Sequence, residues 1–449
     1  MNPAPLNRPL TIALTALALA PGLATAFCGF YVAQADSALF NEASEVVLVR
    51  KDNYTSMTMA NDYRGALSEF AIVIPVPVAI RKDQVQVGSM TLIDKLDAYS
   101  APRLTEYFDP DPCPEPQREY AQKSSTRAGM VADSMSAAAP AGRAEEKDLG
   151  VRVEATYTVG EYDIQILSAE YSSGLETWLQ REGYRIPPGA GPILQSYIRQ
   201  NMHFFVAKVN LGEARRSGSE FLRPIQISYN SPKFMLPLRL GMVNADGPQD
   251  LLVYAITPSG RVETTNYRTI KLPSGHEVPA FVKTDFGTFY TSMFANQVAV
   301  NRYETVFTEY AWPLTMNCDP CSSDPVPASD LAALGANWID PNGNSGGTPA
   351  FLTRLHVRYD LAHFPEDLVF QETGDTTPWQ AIYKINHPFD GDTSCSAGQS
   401  YEGELARRQD REVSNVSALT GWSAASVWPR IQRRARTTPA GGGGFWDWR

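Results

Sequence analysis

The sequence predicts a β-rich α+β fold: antiparallel sheets, sandwich-like, with a few short helices packed on them. Three observations carry this. Short β-branched or aromatic runs recur along the chain with Gly, Pro, Asn or Asp between them. Residues 151–166 alternate apolar and polar on either side of Gly160-Glu161, as a two-residue hairpin turn requires. Residues 284–298 switch to helical period, with Phe286, Phe289, Tyr290, Met293 and Phe294 on one stripe, the buried face of a helix lying on a sheet.

In chain order, residues 45–76 read as a strand meander. EVVLVR (45–50) is β-branched, Lys51-Asp52-Asn53 supplies turn residues, and Met57 and Met59 alternate with Ser56 and Thr58. FAIVIPV (70–76) is apolar on both faces, as a strand between two layers must be. Leu92, Leu96 and Tyr99 repeat at helical spacing before Pro102. Residues 117–150 are rich in Ala, Ser and charge, lack the apolar surface to offset chain entropy, and read as a disordered linker or insertion. After the hairpin, Leu175, Trp178 and Leu179 mark a helix ended by Gly183, and a second helix spans 193–200. Strands follow at 203–211, 225–229, 234–240, 251–257, 261–272, 303–312 and 351–359. A polar helix runs from about Tyr401 toward Leu419, and residues 430–449 read as a flexible tail with arginines near Trp446 and Trp448. No repeat period recurs, which excludes a solenoid or propeller.

The first residues carry an address. Arg8 precedes an apolar run from Leu10 to Ala20, Pro21-Gly22 breaks it, and Ala24-Thr25-Ala26 gives a small-x-small exit before Phe27. This is the pattern of a secretory signal peptide over 1–26, with cleavage between Ala26 and Phe27. The domain plan is then an N-terminal β-rich subdomain at 27–116, the linker at 117–150, a main β-rich domain at 151–400, and a helix and tail at 401–449, the two β-rich parts open to sharing a sheet. The mature chain is expected to be periplasmic or secreted, with no transmembrane span left after leader removal. Cleavage removes Arg8 and no acid, taking the net charge from −10 to −11. So acidic a chain repels phosphate backbones, and nucleic acid is not an expected partner.

The sequence holds five cysteines. In an oxidising compartment disulfides are the default, and an odd count leaves one thiol over. Cys318 and Cys321 lie close enough to bridge each other and staple a turn. Cys28 and Cys113, which bracket one candidate subdomain, are expected to pair, leaving Cys395.

Candidate chemistry is sparse. Gly343-Asn344-Ser345-Gly346-Gly347 resembles the nucleophile loop of trypsin-like serine proteases, where glycines let backbone amides face an oxyanion. The expected base is missing, since neither His203 nor His276 sits in a matching context, and a turn between strands accounts for the loop. Cys318-Asp319-Pro320-Cys321 has redox spacing, but no helix follows it and no second C-x-x-C offers a zinc site. Arg354, His356 and Arg358 alternate onto one strand face; the preferred reading is an exposed polar face, the competing one an anion site. Carboxylates gather at Asp109, Asp111 and Glu115, and at Asp390 and Asp392, without the spacing of a calcium loop. Walker A, dinucleotide and H-E-x-x-H signatures are absent, and no cofactor is expected.

Several blocks together resemble a bacterial secreted family, domain of unknown function 2330: CGFYVAQAD, NYTSMTMANDYRG with FAIVIPVPV, FDPDPC, VGEYDIQILSA, GLETWLQREGYRIP, FFVAKVNL, SPKFMLPLRLG and CDPC. The resemblance spans Cys28 to about Cys395. It implies bacterial origin, export and one continuous architecture, and it brings no reaction, ligand or catalytic residue. The function expected is a non-enzymatic extracytoplasmic module that binds a protein, glycan or envelope component. The competing readings are a serine hydrolase using Ser345, a thiol oxidoreductase using Cys318 and Cys321, and a purely structural envelope component.

Overall fold

The computed structural model describes residues 30–33, 40–64, 70–113, 149–184, 186–210, 212–213, 222–243, 245, 247–314, 324–343 and 349–435. The fold is β-rich α+β, built as four layers around two facing sheets. Among the described residues the larger sheet has nine strands. Its path runs Arg268–Lys271, Thr305–Pro313, Phe351–Tyr359, Gln249–Thr257, Phe40–Lys51, Tyr54–Arg64, Ile225–Asn230, Val85–Val87, with Trp379–Gln380 added beside Thr305–Pro313. The smaller sheet runs Phe30–Ala33, Phe70–Val76, His203–Val209, Tyr162–Ala169, Val151–Val159.

Alternation decides what each layer buries. Ile72, Ile74, Ile164, Ile166, Phe205 and Ala207 of the smaller sheet meet Val46, Leu48, Met57, Leu251, Val253, Leu355 and Val357 of the larger one. Each such side chain larger than alanine contributes roughly 1.5–3 kcal/mol when taken from water. The Phe70–Val76 strand is apolar throughout because its other face, Ala71 and Val73, packs under helices Ser172–Arg181 and Ala190–Ile198. On the outer face of the larger sheet, helix Met90–Ser100 and the segment around helix Ala328–Ala333 cover Val47, Val49, Tyr254 and Tyr310. Helix Phe286–Val300 covers Phe307 beside them; of its expected stripe Phe289, Met293 and Phe294 are buried and Phe286 and Tyr290 partly so. The hairpin turns at Gly160, whose φ of +56° suits glycine. Gly335, at φ +101°, brings the chain so near that a Cβ there would lie 2.3 Å from Ser56 Oγ.

Several expectations need correction. Phe70–Val76 does not continue a meander; it crosses to the other sheet and pairs with His203–Val209, because two apolar faces need a layer on each side. Four pairings are parallel, including Gln249–Thr257 with Phe40–Lys51, so the larger sheet joins the segments before and after residues 117–150. Residues 234–240 form only the short strand Met235–Leu236; Pro237 lacks an amide donor, and helix Arg239–Val243 follows. Residues 261–272 split into Val262–Thr264 and Arg268–Lys271 in different sheets. Part of the supposed tail is helix Ala424–Ala435, held where Arg430 pairs with Asp285 and lies 3.7 Å over the Phe281 ring.

A parallel sheet, His276–Glu277, Ile382–His387 and Arg103–Phe108, overturns the Cys28–Cys113 pairing. Because Arg103–Phe108 and Ile382–His387 run side by side in one direction, their continuations leave at the same end. Cys113 there meets Cys395, with Cα atoms 6.1 Å apart across 282 positions of sequence. Cys28 lies outside the described residues.

Candidate functional site

Two polar constellations stand out, one sealed and one open. The sealed one lies on the outer face of the larger sheet, where Arg354, His356 and Arg358 alternate along one strand. That face is not exposed: Arg354 and His356 are 5% and 7% accessible. Helices Met90–Ser100 and Phe286–Val300 cover it, and a β-bulge lies beneath them. Thr308 pairs with Leu355 and Tyr310 with Arg354, so Glu309 is the extra residue between them. Its fully buried carboxylate receives Arg354 Nε at 2.6 Å, lies 2.8 Å from His356 Nδ1, and accepts the Tyr290 hydroxyl from helix Phe286–Val300. Arg354 Nη1 reaches Asp97 Oδ1 of helix Met90–Ser100 at 2.6 Å, and Tyr254 Oη lies between Glu45 Oε1 at 2.8 Å and Asp97 Oδ1 at 3.0 Å. Arg358 grips Asp250 with bonds of 2.7 and 2.6 Å. Burial pushes Glu309 upward, but the facing His356 and Arg354 charges outweigh it and hold it at about 2.

This network is a clasp between two helices and a sheet. One side of the His356 ring is stacked on Phe294 at 3.6 Å. Its Nδ1 lies 2.8 Å from both Glu309 Oε1 and the Tyr290 hydroxyl, and its Nε2 faces Asp250 Oδ1 at 3.8 Å. The positive charges expected for an anion site are already answered by Glu309, Asp97 and Asp250.

The open constellation is a cleft of about 640 Å³ between the segment after Arg103–Phe108 and helix Ser396–Thr420. Asp109, Pro110 and Pro112 form one wall; Ser400, Tyr401, Glu404, Arg408 and Arg411 form the other, with Glu277 contributing from its own strand. The walls are tied by the Cys113–Cys395 disulfide and by Arg408, which gives Asp109 bonds of 2.9 and 2.6 Å. Tyr401 Oη donates to Asp109 Oδ2 at 2.7 Å and accepts the Phe389 amide. Burial acts upward on Asp109, and Arg408 and Tyr401 outweigh it, leaving it below the usual carboxylate range. One turn beyond Arg408, Glu412 is 5% accessible, with Oε1 3.6 Å from Arg408 Nε. Burial, reinforced by Glu277 and Asp109 against the pull of Arg408 and Arg411, raises it to about 7.

A family model described as uncharacterized protein conserved in bacteria (DUF2330) matches residues 22–371. The chain belongs to this family. Everything in the Glu309 clasp falls within the DUF2330 span, whereas the helical wall of the cleft lies beyond it. No curated protein matches the chain. Among solved structures, a mutated baculovirus P35 after caspase cleavage is 10% identical over 49% of this chain and 66% of that one, at a TM-score of 0.25. Baculovirus P35 is 9% identical over 52% and 70%, at 0.22.

Ser345, Cys318, Cys321, Ala26 and Phe27 lie outside the described residues. The remaining histidines are dispersed: His363 beside Asp360, His387 against Glu106, His276 on its short strand, and His203 opening a strand of the smaller sheet. Of the acidic candidates, Asp109 enters the cleft, while Asp111 and Asp392 close turns on the amides of Cys113 and Ser394. Among the described residues no group of three or more His, Cys, Asp or Glu could hold a metal ion. Arg408, Tyr401 and Glu412 were not singled out from sequence; the one local signal was the i, i+4 spacing of Arg408 and Glu412.

Proposed function

We propose that this chain is an exported, non-catalytic binding module of the bacterial envelope whose ligand occupies the cleft between Asp109 and helix Ser396–Thr420. The observation that carries this reading is the cleft's construction: two segments distant in sequence, locked by a disulfide and a paired Asp109–Arg408 contact, around an open space lined by both signs of charge. Fixed walls spare a ligand the cost of ordering them. The disulfide supports an oxidising compartment. No helix among the described residues is long and apolar enough to cross a membrane.

The enzymatic readings rest on Ser345 as a hydrolase nucleophile or on Cys318 and Cys321 as a redox pair. Against the first stands the sequence context of His203 and His276, neither of which matches that of a protease base. A fluorophosphonate probe that labels Ser345 in folded protein would restore it.

The direct test places a photo-crosslinking amino acid at Glu404 in the full chain, expressed in bacteria. The expected result is an ultraviolet-dependent adduct with one extracytoplasmic component, on a protein whose natural amino terminus is Phe27. A cytosolic chain that retains Met1 and forms no adduct overturns the reading.

A further inference from the structure

Building on the cleft as the binding site, we infer that Cys113–Cys395 is a redox switch: a dithiol opens it at Cys113, Cys395 departs as the thiolate, and the Pro110–Cys113 wall of the cleft is released. Both cysteines are only partly buried, so a thiol can reach the bond. The two sulfurs stand in unequal surroundings. Cys395 caps the 25-residue helix Ser396–Thr420, and its Sγ accepts the Gly398 amide at 3.2 Å. Charge left on that sulfur meets a donor and the positive end of a helix dipole. Cys113 has the opposite neighbour, since its own amide donates to the Asp111 carboxylate at 2.7 Å. On the Cys395 side, Asp392 is spent on the amide and hydroxyl of Ser394. A disulfide opens faster toward the sulfur that better carries the electron pair, which here is Cys395 Sγ.

The exchange runs in two displacements. A thiolate of an extracytoplasmic dithiol bonds to Cys113 Sγ, and the Cys113–Cys395 bond breaks with its electron pair on Cys395 Sγ. The dithiol's second thiolate then displaces Cys113. Two electrons pass to the protein, the dithiol leaves as a disulfide, and the two protons released from its thiols are available to Cys113 and Cys395. The effect on the cleft follows from the tethers. Asp109 N donates to His387 O at 3.0 Å, and the Asp109 carboxylate stays clamped by Arg408 and Tyr401. Beyond it Pro110 and Pro112 have no amide to donate, and the Cys113 amide is taken within its own turn. The disulfide carries this stretch across to the helix. Reduction therefore loosens one wall and leaves its Asp109 end in place.

The test treats the folded chain with a limiting amount of cysteamine, quenches at once with iodoacetamide and maps the peptides by mass spectrometry. The cysteamine adduct is expected on Cys113, with Cys395 alkylated, about ten times more often than the reverse. Equal adducts, adducts mostly on Cys395, or a bond that reacts only after unfolding in urea overturn the proposal. After reduction by dithiothreitol, amide exchange should quicken at Asp111, Cys113 and Gly398 and stay unchanged in the two facing sheets. A rise in the sheets as well makes the bond a staple of the whole fold and overturns the switch. The Glu404 crosslink separates this from the binding reading. A crosslink in the oxidised chain that fades on reduction supports both, and one equally strong in both states overturns the switch. No crosslink in either state, with the adduct on Cys113 and the wall loosened, removes the cleft as a binding site and leaves the exchange chemistry standing.

Discussion

Glu309 and His356 are held 2.8 Å apart on a sheet face that neither Arg354 nor its neighbours share with solvent. Removing the acid takes the partner of Arg354 Nε and the acceptor that Tyr290 and His356 share out of a buried site. Glu309→Leu should therefore cost about 3–5 kcal/mol in urea denaturation, the usual penalty for half of a buried pair. Replacing the set together, with Arg354→Met and His356→Leu added, should recover most of that loss. A single variant within error of wild type would show that the carboxylate is not a keystone.

The same contact fixes a pH dependence. Glu309 is held at about 2, below its ordinary 4.5, so the folded state binds its proton less readily than the unfolded chain. The stability this supplies is complete above the unfolded value and drains away as pH falls from 4.5 toward 2. Urea midpoints of wild type should drop across that window more steeply than those of Glu309→Gln. Parallel slopes contradict the assignment.

Much of the fold is legible in local pattern, because local pattern is what makes it. The 151–166 alternation and Gly160 yield the hairpin Val151–Val159 and Tyr162–Ala169, and the 284–298 stripe becomes the buried face of helix Phe286–Val300. FAIVIPV reveals that it has two covered faces without revealing which sheet it joins. The clasp is less legible. A period of two looks the same whether Arg354, His356 and Arg358 meet water or buried acids, and the acid that decides it, Glu309, comes from a bulge in a strand more than forty residues away in sequence. Pairing direction is equally silent in sequence, and the parallel run of Arg103–Phe108 beside Ile382–His387 is what brings Cys113 to Cys395.

That disulfide gives a prediction of its own. It closes a loop of 282 positions, so its removal frees a long stretch of unfolded chain. Cys113→Ser should lower stability by about 2–5 kcal/mol. Because the bond ties the Asp109 segment to the start of helix Ser396–Thr420, amide exchange should rise there and not in the two facing sheets. A non-reducing peptide map should contain a Cys113–Cys395 fragment; a Cys28–Cys113 fragment instead would refute the connectivity.

Glu412 should work in the opposite sense from Glu309. Its folded value is raised to about 7 from 4.5, so between these values the folded protein keeps a proton that the unfolded chain has released. Stability therefore falls as pH rises from 4.5 to 7, by about 3 kcal/mol at most. The groups around it explain why. Arg408 spends Nη1 and Nη2 on Asp109 and leaves Nε 3.6 Å away, beyond a hydrogen bond, while Glu277 and Asp109 add like charge and Arg411 only part of the compensation. Glu412→Gln keeps the shape and removes the charge, so it should flatten the decline and be more stable than wild type above pH 7. It should also leave the Asp109–Arg408 contact in place, since neither of its bonds involves Glu412. If Glu412→Gln is less stable than wild type at pH 8, the ionised carboxylate must be drawing Arg408 to itself, and the cleft wall would then move with pH.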